Sequence, residues 1–195
     1  MFQKVALIFC KIVLFFRMRI KVIGRENIPS DGGAVLAVNH RTNWDVIIAG
    51  VTAGRPIRYM AKAVLFKKWF LGKLITACGA FPVKRGKGDV GAIKSALEKL
   101  NNGEIVLLFP EGKRLNTIAE EKETRAKPGA VMLAIHSQVP IIPTYISGTF
   151  KPFCKITISY GKPIYYNEYA NTKLSVDELQ VLSDELMAKV RSLRV

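Results

Sequence analysis

The sequence predicts an α/β fold, a single domain with a mixed, mostly parallel sheet flanked by helices, and three observations carry that expectation. Short, continuously apolar runs of strand length, such as Ala34–Val38 and Ile105–Phe109, alternate with segments whose apolar residues recur at helical spacing. The runs stop abruptly at polar or turn residues, as strands do in a parallel sheet covered on both faces. The length, 195 residues, gives room for one full core but not comfortably for two.

Taken in order, residues 2–18 read as a helix that is apolar almost all round. Lys4 and Lys11 lie two turns apart, and Arg17 and Arg19 close it. Its apolar stretch, Val5–Phe16, is too short to span a bilayer, and no Ala-x-Ala cleavage site follows. Residues 1–24 hold five basic groups and no acid. An amphipathic helix anchored in a membrane interface is therefore expected, with a core helix whose lysines snorkel outward as the alternative. The division is an interfacial helix and lead-in over 1–24 and the main domain over 25–195.

After a turn at Pro29–Gly33 comes the first buried strand, Ala34–Val38, stopping at Asn39-His40. A helix follows from Trp44 to Ala53, with Thr42 or Asn43 to cap it. A short strand, Ile57–Ala61, leads into Lys62 and an apolar, basic stretch from Val64 to Ala77, whose aromatics beside lysines suit a membrane interface. Ala80–Val83 reads as a strand. Asp89 caps a helix carrying Ile93, Ala96, Leu97 and Leu100, which Asn101-Asn102-Gly103 ends. Ile105–Phe109 is a strand, the charged stretch Lys113–Lys127 reads as an exposed loop, and Val131–His136 as a helix with His136 in the core or at its end. Ile141–Ile146 and Ile156–Tyr160 are further strands. In the last helix Ser175 and Glu178 form a capping box, Leu174 and Leu179 a staple, and Leu182, Leu186, Val190 and Leu193 the buried face.

Thirty Lys and Arg against fifteen Asp and Glu give a formal charge of +15, which calls for a polyanionic partner. Between Val46 and Gly88 there are nine basic residues and no acid, but the aromatics there come with long aliphatic runs, unlike a nucleic-acid-binding module. An anionic membrane surface fits and nucleic acid does not. Cys10, Cys78 and Cys154 are odd in number and widely spaced, which argues against a disulfide framework or a zinc site and for a reducing compartment. Gly-x-Gly-x-x-Gly at 86–91 spells a dinucleotide fingerprint, yet it follows the wrong strand and lacks an acidic residue about twenty positions on, so it reads as a basic turn.

The chemistry gathers where strands end. His40 lies in Asn39-His40-Arg41-Thr42-Asn43-Trp44-Asp45, between a strand and a helix. A general base needs one ring nitrogen facing the substrate and the other donating to a fixed acceptor; the first helical turn can bring Asp45 back to serve as that acceptor. Phe109-Pro110-Glu111-Gly112-Lys113-Arg114 follows another buried strand, and Gly79-Ala80-Phe81-Pro82-Val83-Lys84-Arg85 flanks a third. In their order, with Val139-Pro140-Ile141-Ile142-Pro143, these four blocks resemble those of the glycerolipid acyltransferases, specifically the 1-acylglycerol-3-phosphate acyltransferases. The match runs over residues 34–144.

The resemblance implies His40 and Asp45 as a catalytic dyad. It implies that Arg85, Glu111 and Gly112 contact the glycerol phosphate acceptor, that Arg114 takes the last basic position of its block, and that residues 139–143 shape the acyl site. Lys113 stands where the family has Thr and could bind phosphate instead; Lys62 joins it as a candidate, since Lys and Arg around the site would grip a phosphate by charge-assisted hydrogen bonds. The implied reaction moves an acyl chain from a thioester of coenzyme A or acyl carrier protein to the free hydroxyl of lysophosphatidic acid, giving phosphatidic acid for phospholipid synthesis. Such a donor is already activated, so neither metal nor cofactor is expected. The expected location is the cytoplasmic face of the cell membrane, peripheral or monotopic. An acyltransferase for another lysolipid, or a peripheral lipid-binding protein without catalysis, are the alternatives.

Overall fold

In the computed structural model, residues 8, 10, 12, 14, 16–83, 89–170 and 172–195 are described. Among the described residues seven strands form one sheet: β1 (Arg19–Ile23), β2 (Ala34–Val38), β3 (Ile57–Lys62), β4 (Ala80–Val83), β5 (Ile105–Leu108), β6 (Ile141–Gly148) and β7 (Lys155–Tyr160), in the spatial order β1-β7-β6-β2-β5-β3-β4. The pair β6–β7 is antiparallel and every other neighbouring pair is parallel. The helices are α1 (Trp44–Thr52), α2 (Ala63–Phe66), α3 (Trp69–Ala77), α4 (Val90–Asn101), α5 (Ile118–Glu123), α6 (Gly129–Ser137) and α7 (Val176–Ser192).

The apolar runs become central strands because both faces of the sheet are covered. Along β2, Val35 and Ala37 enter one core, shared with α4, α6 and α7, while Ala34, Leu36 and Val38 enter the other, shared with α1. The second core also takes in Leu14 and Met18. Helical backbone is found at Ile8, Cys10, Ile12, Leu14, Phe16 and Arg17. Leu14 and Met18 are buried while Ile8, Ile12 and Phe16 are exposed, so apolar residues occupy both the inner and the outer face of this segment. Lys4 and Lys11 lie outside the described residues. Among the described residues no helix is long and apolar enough to cross a membrane.

Two elements depart from the sequence reading. Residues 19–23, taken as part of the lead-in to residue 24, are β1, an edge strand paired with β7 from Arg19↔Lys155 to Ile23↔Ser159; the sheet thus begins before residue 25. The stretch 113–127 is not simply an exposed loop. It contains α5, capped reciprocally by Thr117 and Glu120, and it buries Leu115, Glu121 and Ala126. His136 is exposed in the last turn of α6, the helix-end position.

Because β2, β3, β4, β5 and β6 run the same way, their carboxyl ends share one edge. The chain leaves β2 toward β3 on one side and leaves β5 toward β6 on the other. The β2 and β5 ends are therefore a topological switch point, where open α/β sheets hold their ligands.

Candidate active site

Asn39 prolongs β2 with its side chain. Its Nδ2 donates to the Ile146 carbonyl at 3.2 Å, and its Oδ1 accepts from the Ile146 N–H at 2.7 Å. This buried amide stands in for the backbone ladder just where the chain turns away from β6. His40 follows, with both of its backbone polar groups held. Its N–H donates to Glu111 Oε2 at 2.7 Å and its carbonyl accepts from the Leu115 N–H at 2.9 Å. The two motifs separated by 71 positions are thus tied together at the switch point.

Asp45, second residue of α1 and 1% exposed, is the centre of the loop. Its Oδ2 accepts from His40 Nδ1 at 3.0 Å and from the Arg41 and Thr42 N–H groups at 2.7 Å each, while Oδ1 accepts from Thr42 Oγ1 at 3.1 Å. The short carboxylate arm at a helix start curls residues 40–45 around itself, and the helix dipole favours its charge there. Because Asp45 is an acceptor, Nδ1 carries the proton and Nε2 is the lone-pair nitrogen. The imidazole also stacks on the Phe109 ring, centroids 3.8 Å apart and planes 16° from parallel. Of the two proposed caps, Asn43 holds the cap position without a side-chain cap bond, and Thr42 Oγ1 accepts from the Trp44 N–H at 3.1 Å.

Glu111 is 3% exposed. Burial pushes its carboxyl up to about 7, with the His40 N–H opposing that rise and the nearby Glu121 charge adding to it. Gly112 has φ +67° and donates its N–H to the Phe109 carbonyl at 3.0 Å, closing the turn. A Cβ there would be strained and would meet the Lys127 side chain at 2.5 Å.

The remaining sequence candidates scatter in role. Lys62 is exposed at the carboxyl end of β3, on the same edge. Lys113 and Arg114 are exposed on the Glu111 loop, and Arg114 Nη1 donates to Asn43 Oδ1 at 3.5 Å. Lys84 and Arg85 lie outside the described residues. Ile141 and Ile142 are buried in β6, on opposite faces of the sheet. No group of His, Cys, Asp or Glu among the described residues could hold a metal ion.

Sequence reasoning passed over Glu121 and Tyr145. Tyr145 OH donates to buried Glu121 Oε2 at 3.0 Å, and these two, with Asn39, Arg41, Glu111 and Arg194, line a cavity of about 320 Å3 behind the His40 loop. The signal was Thr117-x-x-Glu120, a capping box announcing a helix that places Glu121 inward.

Fold and site together define an open α/β enzyme scaffold with a buried-carboxylate-supported imidazole at its switch point. The acyltransferase family model matches residues 19–147, so the chain belongs to the acyltransferase family. Among its relatives is a 1-acyl-sn-glycerol-3-phosphate acyltransferase of Bacillus subtilis, 32% identical over 190 residues, covering 94% of this chain and 92% of that protein. Another, of Streptococcus pneumoniae with the same name, is 27% identical over 86% of this chain and 63% of its own length. The crystal structure of the 1-acyl-sn-glycerophosphate (LPA) acyltransferase PlsC from Thermotoga maritima superposes with a TM-score of 0.70 at 24% identity, covering 98% of this chain and 79% of that one.

Proposed function

We propose that this acyltransferase moves an acyl chain from a thioester, of coenzyme A or acyl carrier protein, to the free hydroxyl of 1-acyl-glycerol-3-phosphate, giving phosphatidic acid. The observation that carries the reading is the His40 ring, fixed in one tautomer by Asp45 at the sheet's switch point. The names of the relatives from Bacillus and Streptococcus supply the acceptor. In the step itself, His40 Nε2 takes the hydroxyl proton as the oxygen attacks the thioester carbonyl. The tetrahedral adduct then collapses, the C–S bond breaks, and the proton goes to the departing thiolate. Asp45 holds the ring and stabilises its cation. Lys62, Arg85, Lys113 and Arg114 are assigned to the phosphate by charge, and Glu111 and Gly112 to the acceptor side of the site, where Glu111 also holds the His40 backbone.

The enzyme works at an anionic membrane surface as a peripheral protein on the cytoplasmic side. The exposed Ile8, Ile12 and Phe16 and the surplus of basic charge support that placement. The test is product formation by the purified full chain with lysophosphatidic acid and each thioester. Phosphatidic acid and free thiol in equal amounts are expected from wild type. Their absence with every lysolipid acceptor and both donors would remove the proposal.

A further inference from the structure

We infer that the α2–α3 hairpin is a second membrane-docking surface, separate from the N-terminal segment, that seats the carboxyl edge of the sheet on anionic phospholipid. The inference rests on the proposed reading of a lipid acceptor at a bilayer and names the part of the molecule that meets it. Trp69 and Phe70 open α3 and are 74% and 70% exposed, large apolar side chains that water normally drives inward. Val64 and Leu74 are exposed with them.

The surroundings identify the occupant. Lys67 and Lys68, in the link between the two helices, and Lys73, on α3, are exposed, and no acidic residue occurs between Asp45 and Asp89. Lys73 Nζ lies 4.5 Å from the Trp69 ring centre, so a cation and an indole are presented as a pair. A shallow, open depression of about 650 Å3 lies along α3, lined by Phe66, Lys67, Trp69, Gly72, Lys73 and Thr76. Aromatic rings beside ammonium groups match the boundary of an anionic bilayer, where rings settle at headgroup depth and each cation gains from surface charge. A protein partner's apolar pocket would leave these lysines without counter-charge unless it were itself acidic.

The sequence dictates the presentation. Lys62 ends β3 at the carboxyl edge, and α2 begins at the next residue, so the hairpin rises from the edge that carries His40. Gly72 lets α3 press on α2, since a Cβ there would lie 2.6 Å from the Phe66 carbonyl oxygen. That contact fixes α3 against α2 and leaves its first turn outward. At the other end, burial and the neighbouring Cys10 thiol push the thiol of Cys78, the α3 cap, up, so the N-terminal segment lies beside the hairpin.

The experiment uses the full chain and vesicles of phosphatidylglycerol or phosphatidylcholine. With phosphatidylglycerol brominated along its acyl chains, wild-type tryptophan emission should be quenched and that of Trp69→Phe should not, because the second tryptophan, Trp44, is partly buried. The pair Trp69→Ser with Phe70→Ser should weaken partition onto phosphatidylglycerol by roughly tenfold or more, while acylation of a dispersed, short-chain acceptor continues. Lys67→Glu with Lys68→Glu should reduce the preference for phosphatidylglycerol over phosphatidylcholine, by more than the same two substitutions made at exposed lysines away from the hairpin, such as Lys162 and Lys189. Vesicle binding without quenching of Trp69 would overturn the inference, as would equal binding to both lipids, or a dimer that the double serine variant dissociates. Loss of activity on both dispersed and vesicle-borne acceptors in wild type would instead strike the proposed reaction, and leaves the quenching result to decide the docking surface.

Discussion

His40 is held at three points, its backbone N–H by Glu111, its carbonyl by the Leu115 N–H and its ring by Asp45, so the imidazole is preorganised before any substrate arrives. Replacing His40 by Ala should cost on the order of 100- to 10,000-fold in turnover with little change in melting temperature, measured by thiol release and calorimetry. Asp45→Asn offers an amide NH2 to a pocket of donors and should lose both turnover and roughly 1–3 kcal/mol of stability. Glu111 gives a test in pH. Its folded pKa, about 7, lies above the ordinary 4.5, so between those values the folded state binds more proton than the unfolded one, and stability falls as pH rises through that window. Glu111→Gln mimics the neutral form and can still accept from the His40 N–H. It should match wild type in denaturant midpoint near pH 4 and exceed it near pH 8, by an amount on the order of 2–3 kcal/mol. A parallel pH dependence in the two proteins would show that Glu111 does not titrate there. The His40–Asp45 pairing was legible because the partners are five apart across a helix start. The Glu111–His40 bond was not, since it depends on β2 and β5 lying side by side in register.

Elements with their own local signals were read from sequence, and those defined by a partner were not. The runs at β2, β5 and β6, the Asp89 cap of α4 and the Ser175–Glu178 box of α7 all announce themselves within a few residues. Strand β1 is five residues, largely exposed, and becomes a strand only because β7 offers its edge. Its Arg19 and Lys21 guard that edge from further pairing, as exposed Pro82 does on β4 at the opposite one. α5 is a different case: its Thr117–Glu120 box was present but lay among so many charges that the segment read as loop. The box has a checkable consequence. Thr117→Ala should lower stability by about 1 kcal/mol in denaturant titration and speed amide exchange across 118–123, while a threonine-to-serine change should do neither.

At the scale of the whole molecule, the N-terminal segment presents two apolar faces, one buried and one exposed. Leu14 and Met18, four residues apart, face inward and join the core shared with α1. Ile8, Ile12 and Phe16 recur at the same spacing on the outer face. A pure interfacial anchor would have kept its polar face toward the protein or solvent, and a pure core helix would not expose three apolar side chains. Deleting residues 1–18 therefore confounds two losses, since it uncovers the core and removes the outer stripe together. Single faces separate them. Leu14→Ala should cost about 2–5 kcal/mol in stability, by cavity formation beneath α1, and leave vesicle partition per folded molecule near wild type. Ile8→Ser with Ile12→Ser should do the reverse, keeping the denaturant midpoint within about 0.5 kcal/mol and weakening co-sedimentation with anionic vesicles. Added salt should weaken binding of both variants and of wild type, because the charge of +15 contributes whichever apolar residues are present. If the double serine variant binds vesicles as wild type does, the outer stripe is not a lipid contact, and the N-terminal segment is a core element whose apolar outer face serves something else.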